Sequence, residues 1–169
     1  VLPDCYKGEI ERDYNIRVAK ERGYLCLDRR NVFLRGNQIE VCDLLTNKNQ
    51  FIHIKHWSSS STLSHLFSQA RVSAETLQND RDFRERVSKL IGKCAPAFNT
   101  IIDHSDINPD DFQIIYAIIF PGDKPIHQRL PFFSKLNMMN HAKGLKVLGF
   151  KVFKARIPLV DTVQVAVLT

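Results

Sequence analysis

The chain has 169 residues, of which 44% are hydrophobic and 25% charged, a length and composition typical of one globular domain with a full core. Its formal charge of +6 favours a polyanionic partner, although net charge carries no information about the fold. No apolar run is long enough for a membrane span, no signal peptide is visible, and no C-x-x-C pair indicates a zinc site.

The cysteines and the first residue bear on the setting of the chain. Cys26 and Cys42 lie in apolar segments, which is typical of reduced core thiols, and this predicts a reducing, cytoplasmic location. The chain opens at Val1 and not at a methionine, as expected of a piece of a longer protein. We therefore expect residues 1–169 to form a single domain, with any further domains outside it.

The first third of the chain predicts a helix followed by three strands. The helix runs from about Tyr6 to Arg22 and ends at Gly23. Its residues at i, i+3, i+4 and i+7 share one face. The polar stretch 46–50 is a turn between two apolar strands. The shared helix face consists of Glu11, Tyr14, Asn15 and Val18. The predicted strands are 24–28, 39–45 and 51–57, and a turn at 35–37 precedes the second of them.

The remaining two thirds alternate helices and strands. Gly144 predicts the end of the last helix, and one slip in the alternation of the strand after it predicts a β-bulge. The summed order α-β-β-β-α-α-β-α-β predicts an α/β fold with a central mixed sheet. The predicted helices begin near 62 and 79 and span 130–143, and the predicted strands span 112–120 and 150–157, with a further hint at 163–167.

Lys55 stands out on the strand 51–57. Successive strand residues point to opposite faces, so that Lys55 shares a face with Phe51, His53 and Trp57. Burying a lysine is costly without a partner. Asp43 across the predicted hairpin would be such a partner, and so would a metal-bound anion.

Acids and a lysine in this order suit phosphodiester cleavage. A divalent ion near the scissile phosphate needs hard oxygen ligands, and a nearby cation can orient the attacking water or steady the developing charge. Glu11, Asp43 and Lys55 have these types on a helix and two strands, and His53 occupies the place of a second ligand.

This pattern carries a family resemblance. The order of elements and Glu11…Asp43…His53-x-Lys55 resemble the PD-(D/E)XK nuclease superfamily, which implies a restriction-endonuclease-like, three-layer fold. Tyr14-Asn15 and the segments 39–45, 53–55 and 63–69 more narrowly resemble the bacterial "sporadically distributed protein" family, whose members are proposed to act in antiviral defence against foreign DNA. The resemblance is most specific from Ile39 to Gln69 and looser after about Cys94.

The resemblance implies a role for each matching position. Asp43 would be the central metal ligand, Glu11 an accessory ligand, Lys55 the catalytic lysine, and Gln69 a glutamine beside the active site. The implied ion is Mg²⁺ or Mn²⁺. His53 departs from the superfamily, which has an acid two residues before the lysine. Because imidazole binds manganese, iron or zinc more readily than magnesium, His53 could change the metal preference or mark a member that binds without cutting.

Each of these residues also has a simpler interpretation. Glu11 could be a solvated helix acid, and Asp43 could cap the turn at 46–47. Lys55 could protect a sheet edge, and His53 could be a core histidine with its hydrogen bonds satisfied. Gln69, like His65, could be an ordinary exposed helix residue.

Three functions remain open from the sequence. A metal-dependent endonuclease acting on DNA is the first, a noncatalytic nucleic-acid-binding or scaffold domain of the same fold is the second, and a nuclease of structured RNA is the third. A basic cluster near the predicted site favours phosphate contacts in all three cases. A membrane partner is not expected, and the oligomeric state, a homodimer included, is open. The cluster consists of Arg12, Arg17, Lys20, Arg22, Arg29 and Arg30.

Overall fold

The computed structural model describes residues 2–98, 102 and 106–161. Within these residues the chain forms eight strands and five α-helices, together with two short 3-10 helices. The strands are β1 (Cys5–Tyr6), β2 (Leu25–Cys26), β3 (Asn31–Leu34), β4 (Asn37–Glu40), β5 (Leu44–Leu45), β6 (Gln50–His56), β7 (Gln113–Phe120) and β8 (Lys151–Val160). The helices are α1 (Glu11–Arg22), α2 (Ser60–Asn79), α3 (Arg81–Cys94), α4 (Ile126–Arg129) and α5 (Phe132–Val147).

Six of the strands form one mixed sheet in the order β1-β8-β7-β6-β5-β2. β6, β7, β8 and β1 run parallel, with helices in the connections, whereas β2, β5 and β6 pair antiparallel. β3 and β4 form a separate hairpin. The predicted α/β fold with a central mixed sheet is therefore confirmed.

Both faces of the central strand β7 are covered. Tyr116 and Ile118 belong to the core that contains Phe67 of α2, while Ala117 and Ile119 belong to a second core on the side of α1. A strand between two cores has no polar face, which explains the continuous apolar run of its sequence. The four cysteines, all of them in the described part of the chain, carry free thiols; of the two predicted to lie in the core, Cys42 is buried and Cys26 is half-buried.

Helix α1 begins later than its sequence predicts. It starts at Glu11 and not at Tyr6, because Cys5 and Tyr6 pair in parallel with the end of β8. The predicted end is confirmed, since Gly23 follows the helix with φ 66°, a left-handed conformation that glycine adopts without strain. Tyr14, Asn15 and Val18 on its predicted inner face are buried.

The predicted strand 39–45 is two strands in two different sheets. β4 ends at Glu40 in the hairpin, and β5 begins only at Leu44. Val41 and Cys42 between them are buried, so that their apolar character reflects burial of a connection and not strand pairing. β3, the other half of the hairpin, was not predicted.

The paired helices α2 and α3 agree closely with their predictions. Each has a side-chain N-cap, which explains where it begins: Ser59 accepts from the backbone N–H of Thr62, and Asp80 accepts from that of Phe83. Their predicted apolar residues are buried, except for Leu90, which is half-buried. The buried ones are Leu63, Leu66, Phe67, Ala70, Phe83, Val87 and Ile91.

Two predictions for the last third are wrong. α5 continues through Gly144 to Val147, and Gly144 serves close packing instead, since a Cβ there would lie 3.0 Å from the guanidinium carbon of Arg71. β8 has no bulge, because its register with β7 is continuous from Lys151 to Pro158; the alternation slips because Phe153 is apolar yet exposed. The possible strand 163–167 lies outside the described residues.

Candidate metal and phosphate site

Three carboxylates meet beside the start of β5. Asp28 lies in the turn after β2, Glu40 is the last residue of β4, and Asp43 precedes β5. One oxygen from each lies within 4.8 Å of the others, and all three side chains are half-buried. We call Asp28, Glu40 and Asp43 the acid triad.

Glu40 is held by hydrogen bonds at both carboxylate oxygens. Its Oε1 accepts from the backbone N–H of Arg29 at 2.8 Å. Its Oε2 accepts from Nε2 of Gln69 on α2 at 2.9 Å. The hairpin and α2 thus fix the position of Glu40 relative to the turn that carries Asp28.

Asp43 is fixed by the neighbouring strand and by α1. Its Oδ2 accepts from the backbone N–H of Ile54 at 2.6 Å, and Nδ2 of Asn15 lies 3.5 Å from its Oδ1. The backbone N–H of Asp43 meanwhile donates to the carbonyl of Ile52 at 3.0 Å. The side chain of Asp43 therefore accepts a β6 backbone hydrogen bond that a carbonyl of a neighbouring strand would otherwise accept.

The surroundings of Asp43 disfavour its negative charge. Burial, which is the largest effect, and the nearby charges of Glu40, Asp28 and Glu11 raise the pKa of Asp43, which lies at about 8. The hydrogen bond from Ile54 acts in the opposite direction and is outweighed. The Asp43 carboxyl therefore carries a proton at neutral pH unless a cation replaces that proton.

Lys55 pairs with Glu11 and not with Asp43. Its Nζ lies 2.7 Å from Oε2 of Glu11, while Oε1 of Glu11 accepts from the backbone N–H of His56 at 2.9 Å. Within the described residues no hydrogen bond or ion pair joins Lys55 to Asp43. The lysine on β6 is thus compensated by an acid from α1, not by the acid across the hairpin.

One face of α1 connects the two groups. Glu11 and Asn15 are one helical turn apart, so that Glu11 meets Lys55 while Asn15 reaches Asp43. Asn15 is fully buried, and its Oδ1 has no hydrogen-bond partner among the described residues. The amide nitrogen of Asn15 faces Asp43, so that this oxygen points away from the acid, and leaving it unpaired is costly.

His53 lies apart from the acid triad. It is 4% exposed, and burial lowers its pKa to about 3, so that the ring is neutral at physiological pH. Its Nε2 has no hydrogen-bond partner among the described residues, and its ring nitrogens do not belong to the group of close ligand atoms that the acid triad forms. His56 on the opposite face contacts the carbonyl of Glu9 through its Nε2. The predicted roles of His53 and Glu11 as metal ligands stay predictions.

Gln69 lies beside the acid triad through its bond to Glu40. It also lines a cleft of about 380 Å³ between the hairpin and α2, together with His65 and Ser68. The placement of Gln69 beside an active site, which the family resemblance implies, stays a prediction.

Asp28 and Glu40 were not singled out from the sequence. Both stand at the end of a predicted or observed strand, and Glu40 lies three residues before Asp43. The sequence carried no signal that these two acids meet, because the hairpin that brings Glu40 back to Asp28 was not predicted. These two acids complete the site that Asp43 alone suggested.

The acid triad has the donors of a divalent-cation site. Carboxylate oxygens are the side-chain ligands that Mg²⁺, Mn²⁺ and Ca²⁺ prefer. The pKa of Asp43 is raised mainly by burial, and a cation bound beside it would favour the ionised carboxylate. Asp28, Glu40 and Asp43 could hold such an ion.

Comparison with known sequences gives one match. The sequence model of a family of unknown function, DUF6119, matches residues 1–158. The search of curated proteins gave no match, and neither did the search of solved structures. Among the described residues, none of the helices has the length and apolar character needed to cross a membrane.

Proposed function

We propose that this chain, which belongs to the family of unknown function DUF6119, is a metal-dependent nuclease that hydrolyses phosphodiester bonds of DNA. The observation that carries the proposal is the convergence of Asp28, Glu40 and Asp43 within 4.8 Å, with the pKa of Asp43 raised to about 8. A bound Mg²⁺ or Mn²⁺ would polarise a phosphoryl oxygen and lower the pKa of a coordinated water. Antiviral defence in the cytoplasm is the biological role that fits such an activity.

The connections of the sheet support a restriction-endonuclease-like fold. α1 is followed by the antiparallel strands β2, β5 and β6, then by α2 and the parallel strand β7. Asp43 precedes the middle strand of this antiparallel group, and Lys55 lies near the end of the next. This is the arrangement that the resemblance to PD-(D/E)XK nucleases implies for its acid and lysine.

Each residue has a defined part in the proposed site. The acid triad holds the cation, and Asn15 positions Asp43 from α1. Glu11 holds the Lys55 amine in place, with its Oε2 2.7 Å from Nζ. Lys55 is 31% exposed, so that its amine can reach an incoming phosphate or water and stabilise the developing negative charge. Gln69 maintains the orientation of Glu40.

A noncatalytic DNA-binding domain is the second candidate, and two observations favour it. His53 stands where the superfamily has an acid, and it is buried and neutral. The Lys55 amine is bonded to Glu11 and not to a member of the acid triad. A domain of this kind would keep the fold and the affinity for DNA without cutting.

Plasmid cleavage distinguishes the candidates. Supercoiled DNA is incubated with the parent chain in Mg²⁺, in Mn²⁺ and in EDTA, and nicked and linear products are quantified. Asp43→Asn and Lys55→Met are each expected to lower the rate by roughly 100-fold or more. The matched controls Asp111→Asn and Lys89→Met, both at exposed positions, should cut like the parent.

The outcomes separate clearly. If Asp43→Asn and Lys55→Met both cut like the parent, the site is wrongly assigned. If the parent chain binds DNA but does not cleave it in any divalent ion, the noncatalytic candidate is supported. If structured RNA is hydrolysed faster than DNA in a parallel reaction, RNA and not DNA is the substrate.

A further inference from the structure

A second, positively charged cleft adjoins the acid triad. Its volume is about 440 Å³, and it lies between α1 and the turn that follows β2. Asp28 belongs both to this cleft and to the acid triad, so that the two share a wall. We call it the arginine cleft, lined by Arg12, Ile16, Cys26, Asp28, Arg29 and Arg30.

Two of the arginine side chains that line this cleft have no acidic partner among the described residues. Arg12 and Arg29 are exposed, and within the described residues neither guanidinium has a hydrogen bond or an ion pair. Asp28 likewise forms no ion pair with the arginines beside it. Arg17 on the same helix, in contrast, is fully engaged by Glu9 and Glu21. Two arginine charges therefore remain available for an external anion.

The backbone at Arg29 is unusual for an arginine. The chain turns from Leu27 to Arg30, whose N–H donates to the Leu27 carbonyl at 2.9 Å. Arg29 is the third residue of this turn and has φ 58°, in the left-handed region where glycine or asparagine is normal. This conformation directs the N–H of Arg29 to Glu40 while the side chain lines the cleft. One residue thus connects the acid triad with the arginine cleft.

The neighbouring charges select the kind of ligand. A simple cation would be repelled by the arginines, and a carboxylate or free anion reaching Asp28 would be repelled by the acid triad. A phosphodiester meets both demands, because its oxygens can accept from guanidinium groups while a divalent ion links them to the acids. The exposed side chain of Ile16 adds an apolar surface against which a sugar can pack.

We propose that the arginine cleft binds backbone phosphates of DNA directly beside the acid triad, with the Arg12 and Arg29 guanidinium groups donating to the phosphate oxygens. The inference rests on the proposed function, since it assigns the strand-binding surface of that same site. It requires only binding, and so it is testable without cleavage.

The test measures binding of a short fluorescent DNA duplex by anisotropy in Ca²⁺, which supplies a divalent ion between phosphate and acids, and in EDTA for comparison, over a series of salt concentrations. Arg12→Gln and Arg29→Gly are each expected to weaken binding roughly fivefold to tenfold. Each should also reduce the slope of log affinity against log salt by about 0.9, the value for one lost phosphate contact. Arg81→Gln, an exposed arginine of α3 outside the cleft, is the matched control and should bind like the parent.

Arg29→Gly guards against a folding artefact. Glycine adopts φ 58° without strain and retains the N–H that bonds to Glu40, so that the variant should melt at or above the temperature of the parent. Loss of affinity in a variant that is fully folded would then report the missing guanidinium alone.

Failure of this inference can be told from failure of the proposed function. Loss of binding in both arginine variants supports the arginine cleft even if no variant ever cuts. Unchanged binding and salt slope in both variants overturn it, even if cleavage depends on Asp43. A parent chain that fails to bind the duplex, or that binds an RNA hairpin more tightly, overturns the assignment to DNA.

Discussion

Replacing Asp43 by asparagine is expected to stabilise the cation-free protein. The substitution keeps the shape of the side chain and an oxygen that accepts from the N–H of Ile54. Its new amide can donate to the carboxamide oxygen of Asn15, which has no partner among the described residues, after that group rotates by half a turn. It removes the group whose ionisation is disfavoured by burial and by the other acids.

The expected magnitude follows from the raised pKa. Burial raises the pKa of Asp43 from its ordinary 3.8 to about 8. The folded chain therefore holds a proton that the unfolded chain releases, and each pH unit between these values costs about 1.4 kcal/mol of stability. At about pH 7 the cost is at most about 4 kcal/mol, and partial exposure of Asp43 reduces it to roughly 2 kcal/mol. Asp43→Asn should recover this amount.

The pH dependence gives the sharpest form of this prediction. Because the folded-state pKa is raised, the stability of the parent should fall as pH rises from about 4 to about 8 and then level off. The advantage of Asp43→Asn should be small near pH 4 and largest above pH 8. Urea unfolding in EDTA at a series of pH values measures both curves.

A control variant makes the comparison specific. Asp111→Asn removes an exposed acid outside the acid triad and should follow the parent at every pH. If the curves for the parent and Asp43→Asn run parallel, Asp43 ionises as it does in water. The raised pKa, one of the two observations that support the proposed cation site, would then be refuted.

Three further predictions concern the cation and the frame around it. Mn²⁺ at about 100 times its Kd should stabilise the parent by about 2.7 kcal/mol in thermal melts and leave the stability of Asp43→Asn unchanged. Equal increases in the melting temperature of both proteins would show that the ion binds elsewhere. Phe67→Ala should cost about 3–5 kcal/mol in urea unfolding, because Phe67 is fully buried edge-on against Tyr116, and a cost below about 1 kcal/mol would contradict this packing. Asp80→Ala should cost about 1 kcal/mol by losing the cap to the Phe83 N–H, whereas Asp80→Asn should retain most of that stability in the same assay.

Local sequence features predicted most of the helices and the central strand. Ser59 and Asp80 mark the starts of α2 and α3, and Gly23 marks the end of α1, because caps depend on residues within one turn. The uninterrupted apolar run of β7 likewise reports its burial on both faces. Gly144 shows the limit of such signals, since it lies inside α5 and packs closely against the distant Arg71 instead of ending the helix.

For the candidate site, the sequence by itself determined the residue types and their neighbours along the chain: an acid before one strand, a lysine on the next, and a helix acid preceding both. Only the tertiary structure decided which of these side chains contact each other. The unpredicted hairpin returns Glu40 to Asp28, and α1 gives Glu11 to Lys55 and Asn15 to Asp43. The reason is physical: burial and charge repulsion depend on distances in space, and these are set by long-range pairing that local periodicity does not encode.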